Sequence, residues 1–141
     1  MSAEADAVWN RATTERPLTA PGDRALQGIL LLHGQIRNGG LLSALDYIEP
    51  GDFERAIQGF EYFGRSDVAE LLANTYRLAF PNGPIAGELR EQYTLDLPDP
   101  IIEKIEASDD RYFTLFPDDA TLVTLFEHEF AQRPGEFAPA A

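Results

Sequence analysis

The stretch DRALQGILLLHGQIRNGG, residues 23–40, decides the fold class. Leu26, Ile29, Leu30, His33 and Ile36 follow the three-and-four spacing that winds onto one face of an α-helix. Asp23 is the expected N-cap, and Asn38-Gly39-Gly40 supplies residues that tolerate positive φ and stop such a helix. The same period extends outward in both directions. Upstream, residues 3–16 form a helix with Ser2 as N-cap, Val8, Trp9 and Ala12 inward, and Pro17 blocking continuation. Downstream, residues 41–48 make a short helix that ends at Glu49-Pro50-Gly51. Asp52 caps a helix carrying Phe53, Ala56, Ile57, Phe60 and Phe63, with Gly64 just past its end. Asp67 and Glu70, at capping-box spacing, open another whose stripe of Val68, Leu71, Leu72, Thr75, Tyr76 and Ala79 runs to Pro81. Residues 85–97 are ambiguous, with a short helix through Glu88-Leu89-Arg90-Glu91 as one reading. Asp99-Pro100 reads as N-cap and first turn of a helix containing Ile101, Ile102 and Ile105, expected to bend near Ser108. Asp118 or Asp119 caps residues 120–133, where Leu122, Leu125, Phe126 and Phe130 point inward. The expectation is an all-α chain, a single compact domain of about seven to eight helices over residues 1–141. Residues 1–22 supply the N-terminal helix and loop, and residues 134–141 a flexible tail.

Composition limits function before any motif is considered. A chain of 141 residues fits one domain. The absence of cysteine excludes disulfides, thiolate metal sites and cysteine nucleophiles. The catalytic inventory is thin. His33 lies on an apolar stripe and His128 between two glutamates, outside any H-E-x-x-H spacing, so no metal is expected. Ser2, Ser43, Ser66 and Ser108 lack a nucleophile-elbow context, and the sole lysine, Lys104, follows no phosphate loop. Asp109-Asp110 and Asp118-Asp119 are neighbours that do not face each other, and they read as caps and solvated acids. The sequence therefore predicts no enzyme and no cofactor.

Charge is the more informative pattern. With 24 Asp plus Glu against 11 Lys plus Arg, the formal charge is −13, which disfavours direct contact with nucleic acid or an anionic membrane. Residues 1–90 hold 12 acids and 8 arginines, whereas residues 91–141 hold 12 acids and only 3 basic side chains. Asp99, Glu103, Glu106 and Asp110 recur at intervals of four, three and four, a spacing that lines carboxylates along one helix face. A row of this kind can imitate a phosphate backbone, and it can equally serve as a solvated surface. The acidic start, Met1-Ser2-Ala3-Glu4-Ala5-Asp6, lacks the basic region of a signal peptide, and no apolar run reaches 18 residues. A cytoplasmic location is the expectation.

Gln35-Ile36-Arg37-Asn38-Gly39-Gly40, followed by Leu41-Leu42 and Tyr47, resembles the signature of the DNA mimic protein 19 family of small helical bacterial proteins. The similarity continues through Ala56-Ile57, Phe60, Gly64-Arg65-Ser66-Asp67-Val68-Ala69 and Asp110-Arg111-Tyr112-Phe113, spanning roughly residues 26–137. Leu41 and Leu42 stand where the family usually carries an aromatic after the two glycines. The resemblance implies an acidic homodimer that occupies the DNA-binding surface of a transcriptional regulator. Asp99, Glu103, Glu106 and Asp110, then Asp118 and Asp119, are the expected contacts to a basic protein partner. An immunity protein that neutralises a toxin is the alternative, since it also needs an acidic surface. A third reading is a small-ligand protein or enzyme using a polar pocket at His33, Gln35, Asn38, Gly39 and Gly40, whose competing explanation is a helix stop that lets the next helix pack closely.

Overall fold

The computed structural model describes residues 1–85 and 93–139. Among them are six α-helices, two short 3-10 turns and no strand. The helices are α1 (Ala3–Ala12), α2 (Pro21–Tyr47), α3 (Pro50–Tyr62), α4 (Ser66–Ala79), α5 (Asp99–Leu115) and α6 (Asp119–Gln132). Among the described residues six stand against the expected seven to eight, because the helix anticipated over residues 41–48 continues α2 across a kink at Gly40. The reading of a helix at Glu88-Leu89-Arg90-Glu91 lies outside the described residues.

Prolines move three helix starts away from the expected caps. Pro21 and Pro50 occupy the first turns of α2 and α3, with Ala20 and Glu49 as N-caps, so Asp23 and Asp52 sit inside the helices. The fixed φ of proline suits a first helical residue, and acids in the first turn still favour the helix dipole. Pro98 likewise caps α5 and leaves Asp99 as its first residue. Asp67 pairs with Arg65 through two bonds of 3.0 and 3.1 Å instead of capping α4, which starts at Ser66. Ser2 and Asp118 do cap, accepting from Ala5 N at 3.1 Å and Thr121 N at 3.0 Å. Gly64, with φ 74°, ends α3: Arg65 N donates to Phe60 O and Gly64 N to Glu61 O, the paired bonds of a left-handed helix stop.

α2 is the axis of the molecule, and α3 packs on it most extensively. The two backbones meet at Gly59, where an added Cβ would lie 2.5 Å from Ala25 O, so only glycine fits there. Leu26, Ile29, Leu32 and Ile36 of α2 are fully buried against Phe53, Ala56 and Phe60 of α3. α5 closes over this layer with Ile105 and Tyr112, and it runs unbroken past Ser108, where a bend was expected. Phe60, Tyr112 and Phe116 form one ring cluster with centroids 5.4 to 6.4 Å apart.

Residues 134–139 of the expected tail pack on the core. Residues 134–136 form a 3-10 turn, and Phe137, only 5% exposed, packs edge-on to Phe126 and Phe130. Asp23, expected as an N-cap, is buried, accepting from Ala138 N at 2.9 Å and from Arg11 at 3.1 Å. Arg11 also donates to Ala138 O at 2.8 Å. One part-buried ion pair thus joins α1, α2 and the backbone of Ala138.

Candidate functional site

α5 realises the acidic row. At about 100° per residue, Asp99, Glu103, Glu106 and Asp110 fall within a wedge of about 60°, opposite the buried side of the helix. All four side chains are exposed, and none has a hydrogen bond or ion pair among the described residues. They extend over about 16 Å of helix axis, one carboxylate per about 5.5 Å. A single nucleic-acid strand carries one phosphate per ~3.4 Å of axis. The row therefore has about 60% of the linear charge of such a strand, fixed on a rigid rod.

Asp118 and Asp119 have structural employment instead. Asp118 caps α6 through Thr121 N and Thr121 Oγ1, and these bonds hold its carboxyl below the usual range. Asp119 accepts from His33 Nε2 at 2.9 Å and lies 3.9 Å from Arg37. His33 is buried, and its Nδ1 lies 2.7 Å from the Tyr112 hydroxyl. With Nε2–H donated to Asp119 and Nδ1 accepting from Tyr112 O–H, both ring nitrogens of His33 and the Tyr112 hydroxyl proton are used. Burial pushes the Tyr112 hydroxyl strongly upward, keeping it protonated as that donor. Tyr112 is wholly enclosed while Asp119 is exposed, and the three contacts tie α2, α5 and α6 together.

The residues expected to form one polar pocket are dispersed. Gly40 adopts φ 82°, ψ 176° and kinks α2. The kink frees Leu41 N–H from the helix ladder, and Asp109 of α5 accepts it at 2.8 Å. Burial, with the neighbouring Asp110 charge, pushes the Asp109 carboxyl up against the pull of that bond. Gln35 donates to Ser43 Oγ at 2.8 Å across the kink, while Asn38 is exposed. Gly39 has no room for a side chain, since a Cβ there would lie 2.7 Å from Ser43 Oγ. Asn38-Gly39-Gly40 is thus a helix break stapled from both sides. Only His33 and Gln35 of the five reach a groove of about 1020 Å³ between α2, the residues after α1 and the start of α6.

Asp109, Tyr112 and Arg37, which complete these contacts, were not legible as partners because they lie 68 to 80 residues from the groups they bind or serve. The one available signal was Asp109-Asp110 itself, where one acid faces outward and its neighbour must turn toward the core. Among the described residues, no three His, Asp or Glu side chains could hold a metal ion, and no helix is long and apolar enough to cross a membrane.

An all-helical domain with an unneutralised acidic rod on one face and a kinked central helix defines the class. The chain belongs to the DMP19-like protein family, whose model matches residues 17–131. No curated protein and no solved structure matches it.

Proposed function

We propose that the chain is a non-enzymatic binding protein whose α5 face docks on the basic surface of a protein that otherwise binds nucleic acid. The observation that carries this reading is the row Asp99, Glu103, Glu106 and Asp110, four exposed and unpaired carboxylates on one unbroken helix. Unpaired charges held in register need no internal contact to be broken on docking, so they favour fast, salt-sensitive association with arginine and lysine clusters. Family membership and the net charge of −13 support the same reading. Asp118 and Asp119 contribute to it through the field of the surface, since each already has a structural partner.

The test is capture from source-cell lysate at low and high salt, with the wild type beside the quadruple variant Asp99→Asn, Glu103→Gln, Glu106→Gln, Asp110→Asn. The wild type retains a basic DNA-binding protein that elutes as salt rises and is displaced by duplex DNA. The variant binds it at least tenfold more weakly. Equal retention by both proteins contradicts the reading, and a basic toxin that DNA does not displace replaces it with the immunity alternative.

A further inference from the structure

Although the chain is strongly acidic, four of its 11 basic residues, Arg16, Arg24, Arg37 and Arg55, line the groove of about 1020 Å³ beside α2. Three acids, Glu15, Asp52 and Asp119, line it too. Asp52 is occupied by Arg55 at 3.6 Å, and Asp119 by His33 and Arg37. Arg16 and Arg24 are exposed and have no ion pair among the described residues. Their end of the groove is organised by Gln27, one turn along α2 from Arg24. Gln27 Nε2 donates to Thr14 O at 3.0 Å and to Arg16 O at 2.7 Å, and its Oε1 accepts from Arg55 at 3.0 Å. One amide therefore fixes the backbone bearing Arg16 and orients the Arg55 guanidinium.

The remaining wall is apolar, with Trp9, Leu18, Leu30, Leu31 and Leu122. Leu31 is 47% exposed there and adds to the apolar wall. Gly34, one turn beyond Leu31, adds an independent observation. It sits inside α2, where glycine is disfavoured relative to alanine, yet a Cβ at this position would meet nothing within 4 Å. No packing among the described residues explains a bare backbone there, and it leaves open space in the groove wall.

We infer that this groove is a binding site for a small amphipathic organic anion, its carboxylate or phosphate head held by Arg16 and Arg24 and its apolar body lying along Leu31 and Gly34. The volume, about 1020 Å³, matches the upper end of small-molecule pockets, and guanidinium groups suit such head groups through paired donors. Because the whole molecule repels anions, a head group alone would not be retained. The apolar wall supplies the rest of the affinity. The site is separate from the α5 row, none of whose four acids lines the groove.

The experiment uses 8-anilinonaphthalene-1-sulfonate as fluorescent probe on the full chain, with dodecanoate as competitor and N-phenyl-1-naphthylamine, the same ring system without the charge, as control. The expected result is one saturable site per chain, emptied by dodecanoate, with at least tenfold weaker binding of the uncharged control. Arg16→Gln with Arg24→Gln weakens the probe at least tenfold, and so does Gly34→Met, which fills the groove without touching a charge. Gly34→Met has room and gains helix propensity, so it keeps the fold by circular dichroism whatever becomes of the arginine variant. Absence of saturable binding, equal binding of the uncharged control, or indifference to both substitutions overturns the inference.

Discussion

Asp109 shows how one carboxyl can connect two distant features of the chain. It accepts the Leu41 N–H that the Gly40 kink releases, and it is held above its ordinary value of 3.8 chiefly by burial. Asp109→Ala leaves that N–H without its cap and is expected to cost about 1 kcal/mol, read as a lower melting temperature. Asp109→Asn keeps an acceptor and discards the charge. A carboxyl with a raised folded value binds more protons in the folded state, so its contribution to stability fades as pH rises above 3.8 through that value. Wild type measured against Asp109→Asn should therefore lose relative stability over that rise, and a flat difference would contradict the assignment. Asp67 and Asp118 run the other way: lowered by Arg65 and Thr121 bonds, they stabilise above 3.8 and lose that contribution as pH falls through their folded values.

The elements divide into those that local periodicity determines and those that it does not. The stripe of Leu26, Ile29, His33 and Ile36 needs only the 3.6-residue period, and all four are buried as that period requires. The acidic row on α5 is the same arithmetic applied to charge, and it holds because the helix does not bend at Ser108. Helix starts were less legible, because Pro21, Pro50 and Pro98 compete with Asp23, Asp52 and Asp99 for the same turn. The groove was illegible, since Arg16, Arg24 and Arg55 come from three segments, with Gln27 bonding the Arg16 backbone and the Arg55 guanidinium across them. Along α5, like charges three and four residues apart oppose the helix by about a few tenths of a kcal/mol per pair. Neutralising the row should thus raise the melting temperature at low salt, an advantage that shrinks as salt screens the wild type. A lower melting temperature would mean that these acids have a structural role inside the chain.

Across the whole molecule, the ends are tied to the centre. Arg11 from α1 and Asp23 from α2 together hold the backbone of Ala138, and Phe137 is buried against Phe126 and Phe130. A short run of Pro, Gly and Ala gives no sequence signal for this, because its order comes from a partner 115 residues away. Phe137→Ala is expected to cost about 3 kcal/mol by cavity formation, lowering the melting temperature of the entire domain in one transition. An unchanged melting curve would show that the segment is dispensable. With the ends tied to this frame and the α5 row unpaired among the described residues, the molecule presents its charge along one helix face. The measurement that tests it most directly is the affinity for the captured partner as a function of salt, wild type against the Asp99, Glu103, Glu106 and Asp110 neutralised variant. The account predicts a steep loss of wild-type affinity with salt and a variant that is at least tenfold weaker with a flatter slope. Identical affinities and slopes for the two proteins would contradict it.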